Sequence, residues 1–393
     1  MQNAATSAKQ EPGLGLDIQI FMDVISGGGA EQRISLARQI AAFLCDAENP
    51  LSEREQVLPV AMRLVADESA EVRKVLSEGL SKQADLHADL LFAIVSLEDE
   101  LALPFLSQTP ALTRWHMLAV LRAGDEARQA IVALRSDITA EAVDFITTTL
   151  SLPVNALLLE NTDAVIRPAN YDKLYLRFCD EKVMLDILLA RPDLPPVIRI
   201  NQARKSAGNL HALVASRGWL PAFETVELVT DAEEVAIIQV LAAAKPEDLP
   251  KAITYLMDSE LLTPSLIVRA ACLGAMTVVA QCFAILADAP LWRVREQMNG
   301  KGSFRSLHAK CGLPQTCYWT LRAACDVARD EGDAGVRLSP DDFGRKLIET
   351  LLTRYESMPV LEQPRNLDFV SRFAADTARH LAKRLKADIQ RAA

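Results

Sequence analysis

"ADESAEVRKVLSEGL", residues 66–80, decides the fold class of this chain. An acidic turn precedes a Val-Arg pair, and Val72, Val75, Leu76 and Leu80 then recur at helical intervals. That spacing gives a helix with one buried stripe. Asp67 and Ser69 stand just ahead of it, where a short side-chain oxygen accepts from a first-turn amide that has no partner within the helix. Arg73 flanks the stripe, placed to pair with a turn carboxylate and to join one helical hairpin to the next.

The motif recurs irregularly. Asp193, Ile198 and Arg199 repeat the spacing of Asp67, Val72 and Arg73. Thr263, Val268 and Arg269 do so with threonine as the cap, and Val294-Arg295 follows an aspartate one residue too distant. "EGDAGVRLSP" holds another Val-Arg pair, but Pro340 stops a helix there. Between 31 and about 190 one short helical pattern follows another, among them Ile34, Ala37, Ile40, Ala41 and Leu44, then Val57, Leu58, Ala61, Met62 and Val65 around a potentially kinking Pro59. Unequal intervals predict a degenerate stack of hairpins rather than identical units.

Composition agrees. Apolar residues make up 50% of 393, aromatics only 5%, and Gly (16) and Pro (19) are sparse, which favours helix over strand. No uncharged apolar run reaches eighteen residues, so no membrane span is expected. The N-terminal stretch lacks a secretory signal pattern, and seven scattered cysteines form no disulfide framework, so reduced thiols in the cytoplasm are expected. Residues 1–150 hold 12 Lys+Arg against 22 Asp+Glu, while 151–393 hold 30 of each. The acidic first part disfavours nucleic acid and anionic membrane and suits a basic protein partner.

Four segments are expected: a flexible N-terminal segment over 1–30, with a short helix over 17–25 and a hinge at "SGGGA"; a helical domain over 31–190; a second over 191–330; and a linker with a C-terminal helical pair over 331–393. The pair carries Leu347, Ile348, Leu351, Leu352 and Tyr355 on one helix. On the other it carries Val370, Phe373, Ala374, Ala378, Leu381 and Leu385, backed by a basic side. The second stripe is expected to pack on the first, or to serve a homo-oligomer.

Three stretches together carry a family resemblance: "VALRSDITAEAVDFITTTLSLPVNALLLENTDAVI" (132–166), "LLARPDLPPVI" (188–198) and "FRSLHAKCGLPQTCYWTLRAA" (304–324). They resemble an uncharacterised bacterial family with HEAT-like helices, a domain of unknown function, over roughly residues 35–330. The resemblance implies an all-α fold and a bacterial cytoplasmic setting, and it carries no catalytic residues across.

Signals for chemistry are weak. His308, Cys311, Cys317 and Cys325 fall at His-x2-Cys-x5-Cys-x7-Cys spacing without a Cys-x2-Cys knuckle, among core-forming leucines. The same stretch imitates a helix-turn-helix with Gly312 at its turn, but Arg322 is the sole cation in "QTCYWTLRAA". Lys301 and Arg305 in "NGKGSFR", with Arg293 and Arg295 upstream, form a local excess of positive charge that suits an anion or a partner's carboxylate. No His-Glu-x-x-His or Gly-x-Ser-x-Gly is present.

The expected protein is all-α: a degenerate HEAT-like hairpin stack, α-solenoid-like, with a C-terminal helical pair. Its expected role is a non-enzymatic cytoplasmic scaffold or adaptor that binds a protein or peptide. No cofactor is expected. Asp67, Arg73, Asp193 and Arg199 are candidate inter-repeat links. A nucleic-acid regulator using 304–324, and an enzyme with an unrecognised pocket, are the alternatives.

Overall fold

The computed structural model describes residues 18–334, 338–353, 363–374 and 380–383. The expected disorder of residues 1–16, and the calls on Val336-Arg337, Tyr355, Ala378 and Leu385, lie outside the described residues. Every regular element among the described residues is helical. The chain divides into two compact units between Pro192 and Asp193.

The first unit is a two-layer stack of hairpins. Its pairs are α1 (Ile18–Gly27) with α2 (Ala30–Cys45), α3 (Leu51–Val65) with α4 (Ala70–Leu80), and α5 (Ala88–Val95) with α6 (Asp99–Gln108). They continue with α7 (Arg114–Ala123) and α8 (Glu126–Ala133), α9 (Ala140–Thr149) and α10 (Leu152–Glu160), and α11 (Pro168–Phe178) and α12 (Lys182–Ala190). The even helices touch in unbroken succession from α2 to α12. Short polar residues start many of these helices: Thr113, Asp125 and Thr139 each accept from a backbone amide three residues on. The opening stretch forms α4, with Val72, Leu76 and Leu80 buried. Helix α3 runs on through Pro59.

Within the segment expected to be flexible, residues 18–27 form a helix packed on α2 and α3, close to the short helix read over 17–25. Gly28 and Gly29 make a close turn, where a side chain at Gly28 would meet the Val24 carbonyl at 2.5 Å.

The second unit opens with two helices of 22 residues, α13 (Pro196–Arg217) and α14 (Ala222–Ala243). There follow α15 (Leu249–Asp258), α16 (Pro264–Cys272), α17 (Met276–Leu286), α18 (Leu291–Met298) and α19 (Phe304–Lys310). After a short 3-10 turn at Gln315–Cys317 come α20 (Tyr318–Ala334), α21 (Pro340–Thr353) and α22 (Gln363–Phe373). Helix α16 is the centre: every residue from Leu266 to Cys272 is buried, and α14, α17, α20, α21 and α22 surround it. Such all-round burial needs a helix apolar on every side, interrupted here by Arg269 alone.

Over the described residues, the C-terminal part therefore does not stand apart as expected. Helices α21 and α22 complete the core that begins with α13. Phe373, on the stripe read as packing within its own chain or else serving a second subunit, is buried against its own chain, stacked on Phe369 and lying under Arg269.

Candidate functional site

Arg73 ties α4 to the turn before α6. Its guanidinium pairs with Glu98 at 2.6 Å and donates to the Asp67 carbonyl at 2.5 Å. The Asp67 carboxylate receives Arg33 from α2 at 2.8 Å and the Ser69 amide at 2.8 Å. Thus α2, α4 and the turn before α6 are tied by two adjoining ion pairs. Asp193 lies exposed just ahead of α13, and Arg199 is half-buried on it. At the third echo, Thr263 caps α16 and Arg269 is buried.

A stronger ladder escaped the sequence reading. Arg135, after α8, donates to the Leu106 and Thr109 carbonyls at the end of α6 and clasps Asp137 at 2.7 Å through two nitrogens. Asn161, after α10, donates at 2.9 Å to the Ala133 and Arg135 carbonyls. Arg191, after α12, donates to the Leu159, Asn161 and Ala164 carbonyls. Each rung satisfies carbonyls that the preceding helix end leaves open. The signal was in the sequence as Arg-Ser-Asp, Asn-Thr-Asp and Arg-Pro-Asp at 135, 161 and 191.

The candidate anion contacts Lys301, Arg305, Arg293 and Arg295 are all exposed. Arg305 lies over the Tyr318 ring at 5.3 Å. Ser303 caps the seven-residue α19. His308 is buried beside Tyr318 with its Nε2 unpartnered, and burial lowers its pKa, which favours the neutral ring. Burial raises the thiols of Cys311 and Cys325 to about 12 and raises that of Cys317. Among the described residues no three His, Cys, Asp or Glu side chains are placed to hold a metal. In the helix-turn-helix-like stretch, Arg322 pairs with Asp326 on its own helix.

The α13–α14 hairpin has a different character. Beyond its base, Ala207, Val214, Thr225 and Val229 are buried while most of their neighbours are exposed. Leu210, Leu213, Trp219, Leu220, Phe223, Val226 and Leu228 are exposed within nineteen residues, with Trp219 at 65% and Phe223 at 78%. Gly218, at φ +62°, ends α13 in the left-handed conformation and lets the chain reverse. Charge is segregated: α13 carries Arg199, Arg204, Lys205 and Arg217 with no acid, whereas α14 carries Glu224, Glu227, Asp231, Glu233 and Glu234 with no base.

A buried ionic cluster anchors the base of this hairpin. Arg269, 1% exposed, pairs with Asp231 and binds Glu234 at 2.7 Å. Glu234 also accepts from Ser265 at 3.0 Å. Arg269 stacks at 4.4 Å on Phe373, and Arg372 pairs with Glu227 at 3.3 Å. Tyr255 donates to Asn201 at 2.5 Å. A guanidinium so desolvated needs its carboxylates, so α14 is fixed to α16 and α22 while the outer hairpin stays exposed.

The model of a bacterial family, DUF2336, described as an uncharacterised protein conserved in bacteria, matches residues 101–360, a span that includes the whole hairpin. No curated protein matches the chain. No solved structure matches it.

Proposed function

The chain belongs to that bacterial family, whose description gives no activity, and from this premise we propose that it is a non-enzymatic scaffold that binds other protein chains. The observation that carries the reading is the cluster of exposed large apolar side chains on the α13–α14 hairpin, held on a buried ionic base. Exposed apolar residues scattered singly are ordinary, but a contiguous group with aromatic members is characteristic of a protein interface. On this reading the first unit is a HEAT-like stack whose acidic surface meets a basic partner, since the net charge of −10 falls within residues 1–150. Seven cysteines outside any disulfide, five of them buried, are in keeping with a reducing cytoplasm.

The test places a photo-crosslinking amino acid at Phe223 in the full-length protein in living cells. Discrete protein adducts should form there and should be lost when Leu213 and Val226 are replaced by aspartate. A reactive group at Phe223 that labels no protein would overturn the reading.

A further inference from the structure

Self-complementarity is built into the charge pattern of this hairpin. Its first helix is wholly basic and its second wholly acidic. A two-fold axis running along the hairpin sets each α13 against α14 of another copy, antiparallel, in a four-helix arrangement. Arg204 already pairs with Glu233 inside the hairpin, and Arg269 and Arg372 hold Glu227, Asp231 and Glu234, so the opposite charges that face one another on both sides of the axis are those at the tip. No other simple placement of two identical hairpins does this, because a shift that brings α13 onto α13 opposes like charges.

The tip supplies a register. Arg217 closes α13 and Glu224 lies in the first turn of α14, one on each side of the turn at Gly218–Pro221. A parallel two-fold axis keeps residues at equal distance from the tip opposed, so Arg217 of one copy meets Glu224 of the other. The exposed Leu210 and Leu213, three apart on α13, and Leu228 on α14 supply apolar surface for the seam. An anionic bilayer would be repelled by the acidic α14 and fits less well.

We propose that the α13–α14 hairpin is a self-association surface whose occupant is the same hairpin of a second copy of this chain. This rests on the reading of the hairpin as a protein-binding surface and names its partner. The exposed part of α13, from Arg204 to Arg217, is about 21 Å long at 1.5 Å per residue, and two helices side by side are about 20 Å wide. That is roughly 400 Å² per copy, below the ~800 Å² per partner of a standard interface. The pairing is therefore reversible and concentration-dependent.

Sedimentation velocity of the full-length protein tests it, from sub-micromolar to tens of micromolar, at low and high salt. The expected result is a monomer–dimer equilibrium that weakens as salt rises. Arg217→Glu and Glu224→Arg should each weaken self-association roughly tenfold or more, since like charges then meet at two symmetric contacts. Mixing the two variants should restore the dimer, because each acidic copy then faces a basic one. Circular dichroism of each variant should match the parent, as both positions are exposed. A parent that stays monomeric throughout, a dimer indifferent to both reversals, or a failure of mixing to restore it overturns the proposal. Protein adducts at Phe223 that contain only other proteins would sink self-pairing and leave the scaffold reading standing.

Discussion

At the scale of single residues, long donors buried at the ends of helices hold the first unit together. Arg135 and Arg191 are both buried, and each bonds backbone carbonyls from the preceding hairpin. Removing such a side chain loses charge-assisted bonds and strands buried acceptors. Arg135→Ala and Arg191→Ala should each cost about 2–3 kcal/mol, and Arg73→Ala about 1–3 kcal/mol, in urea melts. An unchanged midpoint for Arg135→Ala would show that the carbonyls find water instead. Thiol chemistry offers a second check. Cys45 and Cys179 are half-exposed, while Cys272, Cys282, Cys311, Cys317 and Cys325 are buried, four of them with thiols pushed to about 12. A colorimetric thiol reagent should therefore modify two cysteines in the native protein and all seven only after unfolding.

At the scale of elements, α16 decides how the second unit works. It is short, buried on every side, and carries one charge into the core. Arg269 joins Asp231 and Glu234 of α14 to Phe373 of α22, so helices distant in sequence share one cluster. Arg269→Ala would leave Glu234 buried with the Ser265 hydroxyl and the weaker Thr263 contact. It should destabilise the unit by about 3–5 kcal/mol, the range for breaking a buried pair. Phe373→Ala should cost about 3–4 kcal/mol with no change in mass in solution, since that ring packs within its own chain. Hydrogen exchange resolved along the sequence should show α14 and α22 losing protection together in either variant. Loss confined to α22 would show that the cluster does not couple them.

At the scale of the whole molecule, acid should act first on the hairpin links of the first unit. Hydrogen bonds from Arg73 hold Glu98 below the usual carboxylate range, and those from Arg135 do the same for Asp137. The Arg128 amide lowers Asp125. For groups whose folded pKa is depressed, stability is present above the unfolded value and is lost as pH falls through the folded one. The melting temperature should accordingly hold above the ordinary carboxylate range of about 4 and fall below it. Arg135→Ala should flatten that fall, because Asp137 would then titrate nearly alike in both states. An equally steep fall in the variant would assign acid lability to other carboxylates.

The periodicity of apolar residues by itself determined the all-α class, since a stripe at intervals of three and four can be buried only as a helix. It located α4 from Val72, Leu76 and Leu80 and singled out Arg73, whose backbone partner Asp67 lies six residues back while its carboxylate partner Glu98 lies 25 residues on. A boundary is read at "ARPDLPP", and the chain divides between Pro192 and Asp193. Tertiary structure alone decided the rest. Arg269 meets Asp231 and Glu234 across 38 and 35 residues, and its stacking on Phe373 spans 104. No local spacing encodes a pairing across such distances. Residues 331–393 read as a separate pair because a Gly- and Asp-rich break looks the same whether the next helices leave the core or close it. Nothing in the sequence sets the hairpin's apolar side chains apart from core residues, and their exposure among the described residues is a property of the tertiary structure.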